Sequence, residues 1–176
     1  EHKFGLLPYV LKKLFLKRVE INRALKAGEY TGDDIVAMEK RQWAYKIILN
    51  SAYGAMGFNQ FRLYKPEVAD AITYFARQAL KFAVLKFNEY GHKTLYGDTD
   101  SIFVKSAGNS AKQMESQLKV FNEALKEEYV KKYNPKLQDE YMLMDLKFEY
   151  DMEKIYFGNS KKRYYGIVRD TGYKYI

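Results

Sequence analysis

The chain has 176 residues, no cysteine, and 30 Lys plus Arg against 22 Asp plus Glu, a net charge of +8. That length supports a buried core in one or two compact units, and the absence of cysteine excludes disulfides and thiolate metal sites. The excess positive charge favours an anionic partner such as nucleic acid; no apolar run reaches membrane-spanning length and no N-terminal signal pattern is present, so the expectation is an intracellular, soluble protein of the cytoplasm, nucleoid or nucleus.

In chain order, Pro8 opens a helical run to about residue 27, with Leu7, Leu11, Leu14, Phe15, Val19 and Leu25 as apolar positions and Lys12, Lys13, Lys17, Arg18 and Arg23 as basic ones. Gly28 and the Thr31-Gly32-Asp33-Asp34 cluster end it, with Thr31 or Asp33 as the N-cap of a second helix reaching about residue 56. Two long helices joined by a short turn predict an antiparallel hairpin. On the second helix Gln42, Lys46, Asn50 and Tyr53 fall on one face. A solvated helix face is the ordinary setting for a lone Lys. As a substrate-facing set, Lys46 neutralises a polyphosphate, Asn50 orients it and Tyr53 packs against a base or sugar.

Pro66 sets the first turn of a third helix over residues 67–90, whose apolar positions Val68, Ile72, Phe75, Ala79, Phe82 and Leu85 suit packing across a sheet. Residues 93–95 and 102–105 read as strands of a β-hairpin closed by Tyr96-Gly97-Asp98-Thr99-Asp100-Ser101. The turn presents two carboxylates at its tip, which suits a hard, oxygen-seeking cation such as Mg²⁺. Asp and Gly are also ordinary turn formers, so the hairpin by itself has a structural explanation too. A helix over 110–132 with Met114, Leu118, Phe121 and Leu125 as its core stripe follows. Strands over 141–157 and 163–168 then flank the turn Gly158-Asn159-Ser160. On the first of these strands Glu149, Asp151 and Glu153 alternate and so share a face, where one of them could support a metal site. The class is α+β, with an antiparallel sheet and packed helices; no internal repeat or low-complexity tract interrupts it.

Three ordered strings, Lys46-x-x-x-Asn50-Ser51-x-Tyr53-Gly54, Tyr96-Gly97-Asp98-Thr99-Asp100-Ser101 and Lys161-Lys162-Arg163-Tyr164, together with Gly5-Leu6-Leu7-Pro8, carry a resemblance that covers nearly the whole chain. It resembles the fingers and C-terminal palm of family B DNA polymerases. The resemblance implies a fingers helical hairpin over 1–62 and, over 63–176, the C-terminal part of a ferredoxin-like or RRM-like palm. It also implies template-directed DNA synthesis: nucleotidyl transfer from a deoxynucleoside triphosphate (dNTP) to a primer 3′-hydroxyl, with two Mg²⁺ ions in the complete site.

By the same resemblance Asp100 is a direct metal ligand. Asp98 binds metal transiently, orients the site, or is a hydrogen-bonded turn residue. Lys46 and Asn50 match triphosphate-binding positions, and Arg18 matches the basic residue on the facing helix. Where many relatives carry a further Lys, this chain has Asn22 with Arg23 beside it, so either Arg23 substitutes or the site has one cation fewer. Tyr53 packs under the nascent base pair or, alternatively, in the core. Lys161, Lys162, Arg163 and Tyr164 match a DNA-binding string at the primer end, where phosphate contacts give register without sequence information. Implied partners are primer–template DNA, dNTPs and the remaining polymerase domains, with any processivity factor unspecified and no membrane.

The family's other palm motif, with its metal-binding Asp and sugar-discriminating Tyr, has no copy here, nor do the exonuclease domain and thumb. The expectation is therefore an excised or split piece that is inactive alone. The interval from Gly54 to Tyr96 lacks the insertion of protein-primed members, which points to the nucleic-acid-primed branch. Two rivals remain at this level. A non-catalytic, RRM-like nucleic-acid-binding module should carry paired aromatics in a Lys/Arg-Gly-Phe-type strand, and that signature is absent. A scaffolding relative should have lost Asp100 or Lys46, and both are present.

Overall fold

The structure, a computed structural model, describes residues 5–108, 111–135, 143–169 and 172–175. The chain divides into two compact units, Glu1–Tyr74 and Phe75–Ile176. The division falls inside the third helix, beyond the 62/63 boundary suggested by the resemblance.

In the first unit, α1 (Leu6–Lys26) and α2 (Asp33–Met56) pack against each other. Leu7, Leu11, Leu14, Phe15, Ile21 and Ala24 turn inward on α1, at the three-and-four spacing that makes one stripe. Val19, expected on that stripe, is exposed instead. Met38, Gln42, Tyr45, Leu49, Ala52 and Met56 form the matching stripe on α2. Arg18 Nε donates to Gln42 Oε1 at 3.4 Å, so the C-terminal half of α1 lies beside the N-terminal half of α2, as an antiparallel hairpin requires. The reversal uses a Schellman motif, with Gly28 N–H on Leu25 O (3.2 Å) and Glu29 N–H on Ala24 O (3.0 Å). Neither Thr31 nor Asp33 caps α2. Gly32 occupies the cap position without a side-chain bond, and Asp33 and Asp34 in the first turn complement the helix dipole instead.

Helix α3 (Pro66–Glu89) runs from the first unit into the second. The core of the second unit lies between the later part of α3 and a continuous helical run made of α4 (Ala111–Ala124), a π-helical turn (Leu125–Val130) and α5 (Lys131–Tyr133). That run matches the expected 110–132, with Ser110 outside the described residues. Phe121 and Leu125 are fully buried there, among Ala83, Phe87, Met114 and Tyr129. Of the expected packing face of α3, Ala79 and Phe82 pack on the core, whereas Val68, Ile72, Phe75 and Leu85 are exposed.

Another Schellman motif ends α3. Gly91 takes φ 85, its N–H meets Asn88 O (3.0 Å), and His92 N–H meets Phe87 O (3.0 Å). An L-side chain at that φ is sterically penalised, so glycine sets the exit direction. The chain leaves directly into β1 (Lys93–Asp98), which pairs antiparallel with β2 (Ser101–Lys105). His92, 3% exposed, pins the hairpin at its base. Its Nε2–H donates to Gln117 Oε1 on α4 (2.7 Å), and its Nδ1 accepts Ala107 N–H just past β2 (3.3 Å).

The remaining antiparallel strands form a separate sheet in the order β3 (Met152–Phe157), β4 (Tyr164–Val168), β5 (Gly172–Tyr175). The expected strand over 141–157 is thus shorter than its sequence suggested; residues 141 and 142 lie outside the described residues, and 143–151 form no regular element. The reason is a side-chain clasp. Asn122 Nδ2 donates to Leu146 O (3.0 Å) and Asn122 Oδ1 accepts Leu146 N–H (2.8 Å), taking the backbone groups a strand partner would use, while Leu146 and Phe148 pack on the core. Glu149 and Asp151 therefore do not share a strand face with Glu153, and Asp151 is paired with Arg169 (Nε to Oδ2, 2.9 Å). In β4, a Cβ on Gly166 would come within 2.6 Å of Lys154 O, beside the register shift in β3.

Truncating a fully buried phenylalanine leaves a cavity and removes its transfer free energy. Phe121→Ala should lower the unfolding free energy by about 3–5 kcal/mol. Val120→Ala, at a site 60% exposed, should stay within about 0.5 kcal/mol of the parent. Urea denaturation of the two variants side by side measures both, and equal losses would place the core elsewhere.

Candidate active site

The hairpin turn is tighter than its sequence suggested. Asp98 pairs with Ser101 as the last rung of β1 and β2, leaving only Thr99 and Asp100 between the strands. Asp100 N–H bonds Asp98 O at 2.6 Å, and Thr99 takes φ 53. An i to i+2 bond around a residue of positive φ is a γ-turn, a strained arrangement for a β-branched side chain. The turn separates its two carboxylates. Asp98 is half-buried, whereas Asp100 is exposed and its side chain has no hydrogen bond or ion pair among the described residues.

The basic string arrives at the same tip. Between β3 and β4, Lys162 takes φ 66, and its Nζ lies 3.1 Å from Asp98 Oδ2 and 3.3 Å from Thr99 Oγ1. Its backbone N–H donates to the Tyr96 hydroxyl (3.2 Å), and the Thr99 hydroxyl donates to Asp98 Oδ1 (3.1 Å). Beneath these contacts, rings from both hairpins interlock. Phe103 meets Tyr164 edge-on at 4.7 Å between centroids and Phe157 at 5.8 Å, and Tyr96 meets Phe157 at 5.3 Å. The Tyr164 ring is thus part of the packing, while Lys161, Lys162 and Arg163 are exposed.

The hydrogen bond from Lys162 holds the Asp98 carboxyl below the usual aspartate range. Partial burial opposes that shift, and the Thr99 hydroxyl and the charges of Lys162 and Lys161 reinforce it. The available donors at the tip are hard oxygens, which fit a Mg²⁺-type cation. Among the described residues no group of three or more His, Cys, Asp or Glu side chains comes together to complete a metal shell.

In the first unit, Lys46, Asn50 and Tyr53 are exposed on α2, as their spacing predicts. Gln42, the fourth member of that stripe, turns toward α1 and bonds Arg18. The half-buried Arg18 guanidinium is thereby held one helical turn from Lys46. Asn22 is half-buried and Arg23 exposed. Sequence reasoning missed the aromatic joint and His92. Each hairpin does carry a facing aromatic pair, Tyr96 with Phe103 and Phe157 with Tyr164, and that pairing is the signal that was available.

Because its folded pKa is depressed, Asp98 contributes stability that is complete above its unfolded value and is lost as pH falls through the folded one. Lys162→Asn should therefore raise the Asp98 midpoint in a carboxyl ¹³C NMR titration. The difference in urea midpoint between parent and variant should be present near neutrality and vanish below the carboxylate range. An unmoved midpoint would mean that the ion pair does not persist in solution.

The model of the family described as DNA polymerase family B matches residues 1–175. DNA polymerase 2 of Aeropyrum pernix is 29% identical over 174 residues, covering 96% of this chain and 19% of that protein. The DNA polymerase of Pyrococcus glycovorans is 32% identical over 178 residues, covering 98% of this chain and 21% of that protein. The solved structure of the family B DNA polymerase from the hyperthermophilic archaeon Pyrobaculum calidifontis is similar over 100% of this chain and 20% of its own, at 30% identity and a TM-score of 0.62. The chain thus spans about a fifth of the length of these relatives.

Proposed function

The chain belongs to DNA polymerase family B, and on that premise we propose that it supplies the fingers (1–62) and the C-terminal part of the palm (63–176) to template-directed DNA synthesis. The observation that carries this reading is the meeting of two strings distant in sequence. The basic turn and the acidic tip come together, with Lys162 Nζ 3.1 Å from Asp98 Oδ2, so that groups suited to a nucleic-acid backbone adjoin groups suited to a cation. The ion pair itself is worth only about 0–1 kcal/mol; what it marks is that the packed rings bring the two strings to one place.

In this reading the primer 3′-hydroxyl attacks the α-phosphorus of a dNTP, the new phosphodiester bond forms and pyrophosphate leaves. Bound divalent cations, Mg²⁺ above all, supply neutralisation of the triphosphate and stabilisation of the attacking and leaving oxygens. Asp100, exposed and without a side-chain partner among the described residues, holds a cation directly, and Asp98 is its auxiliary. Lys46 neutralises the triphosphate and Asn50 orients it, with Arg18 aimed by Gln42 as a second cation. Tyr53, 44% exposed, offers its ring to the nascent base pair. Lys161, Lys162 and Arg163 hold the primer strand, and Tyr164 fixes their turn through its ring contacts. Positioning and charge neutralisation, with no covalent intermediate, are what phosphoryl-type transfer asks of a protein. The partners are primer–template DNA, dNTPs and the remaining polymerase domains.

In the active polymerase containing this chain, Asp100→Asn should abolish primer extension and leave duplex affinity within about twofold, since the lost group holds a cation and not DNA. Lys46→Ala should reduce catalytic efficiency for dNTP about ten- to a hundredfold, the worth of one charged hydrogen bond to phosphate. Single-turnover extension and duplex anisotropy measure the two effects. Near-normal extension by Asp100→Asn with Mg²⁺ would overturn the metal assignment, and unchanged dNTP dependence in Lys46→Ala would overturn the fingers assignment.

A further inference from the structure

Thr99 and Lys162 are the only non-glycine residues of positive φ among the described residues, and they touch. Lys162 Nζ bonds Thr99 Oγ1 at 3.3 Å and lies 3.1 Å from Asp98 Oδ2. Strained backbone persists where surrounding contacts hold it, and it gathers at sites that do work. Here both strained turns rest on the interlocked rings of the two hairpins, and the Lys162 backbone N–H is held by the Tyr96 hydroxyl. Their joint is also open to exchange, because the Lys162 side chain is 67% exposed and that of Asp98 31%.

Resting on the polymerase reading above, we propose that Lys162 is a built-in cation placeholder for Asp98: its ammonium occupies the carboxylate until the turn engages a nucleic-acid backbone, and only then is Asp98 released to a divalent cation. The two occupants exclude each other. An ammonium and a divalent cation on one carboxylate are like charges within a few ångströms, where each disfavours the other. A lysine is a compact point charge on a flexible stem, so it can leave Asp98 for a phosphate oxygen without a rearrangement of the backbone. The consequence is linkage. Nucleic acid bound at Lys162 strengthens cation binding at Asp98, and a cation at Asp98 strengthens nucleic-acid binding at Lys162 by the same factor. The same arrangement divides the labour of the motif. Asp100 is available to a cation at all times, and Asp98 becomes available when nucleic acid is in place.

A double-mutant cycle on the 176-residue chain tests this with binding readouts alone. Parent, Lys162→Asn, Asp98→Asn and the double variant are titrated with Mn²⁺, free ion being followed by electron paramagnetic resonance. They are then titrated with a fluorescent primed duplex in divalent-free buffer. Asn is chosen at 162 because it tolerates positive φ, with Lys162→Gln as a second variant should Asn disturb the fold. Lys162→Asn should tighten Mn²⁺ binding about two- to fivefold, the scale of one exposed ion pair, and only when Asp98 is present. Asp98→Asn should tighten duplex binding by a similar factor, more than Asp100→Asn does, and only when Lys162 is present. Lys161→Asn, which removes an equal charge, should reproduce less of the Mn²⁺ effect. If the effects of Lys162→Asn and Asp98→Asn simply add, or if Asp98→Asn and Asp100→Asn tighten duplex binding equally, the placeholder is overturned while the polymerase reading stands. If Asp100→Asn and Lys46→Ala leave primer extension and dNTP dependence unchanged in the active polymerase containing this chain, the polymerase reading fails and takes the placeholder with it.

Discussion

The site depends on the aromatic joint between two hairpins. Tyr96 and Phe103 face each other across β1 and β2, Phe157 and Tyr164 across β3 and β4, and the four rings interlock at centroid distances from 4.7 to 6.5 Å. Aromatic pairs contribute about 0.5–1.5 kcal/mol each beyond the area they bury, whereas an exposed ion pair is worth about 0–1 kcal/mol. The rings therefore hold the hairpins together, and the contact of Lys162 with Asp98 follows from them. A charge pair that does not have to carry the architecture is free to exchange its partners.

Rigidity is graded along the acidic hairpin. At its base, buried His92 ties the strand entrance to Gln117 and the strand exit at Ala107 to itself, so both ends are fixed to the helical layer. Midway, Ile102 and Val104 pack on the core around Phe121. At the tip the backbone is strained at Thr99, and the Asp100 side chain faces solvent. A pair of carboxylates needs a fixed base if it is to hold a cation in a defined place, and an open tip if cation and substrate are to reach it. Two residues of sequence separation are enough to give the two acids different electrostatics. Asp98 ends a strand that faces the basic turn, and Asp100 sits in the turn itself.

Much of this was legible in the sequence because it rests on local signals. Helical periodicity located α1 to α4 closely, since each buries one stripe, and Asp and Gly between alternating apolar runs marked the hairpin. The exposure of Lys46, Asn50 and Tyr53 followed from their spacing. What could not be read rests on contacts between distant residues. The strand expected over 141–157 lost its first part because Asn122, on a helix, bonds the backbone of Leu146, and β-propensity carries no information about such a clasp. The acidic stripe of Glu149, Asp151 and Glu153 failed with it. Thr31 and Asp33 were reasonable caps by residue type, but Gly32 takes the position at φ 55. The aromatic joint was half visible, as register pairs within each hairpin, yet nothing local says that one pair docks on the other.

The first unit works by a different logic. Its two helices share a seam in which Gln42 holds Arg18, and the polar groups assigned to substrate lie just outside that seam on α2, facing water. Polar side chains on an exposed stripe cost little to keep, because water satisfies them until a ligand does. At the acidic tip the carboxylate of Asp98 already has a partner within the chain, because Lys162 reaches it from the basic turn. The two surfaces therefore differ in what surrounds their polar groups. The stripe on α2 faces water, while Asp98 sits against a cation that the packed rings beneath it bring into reach.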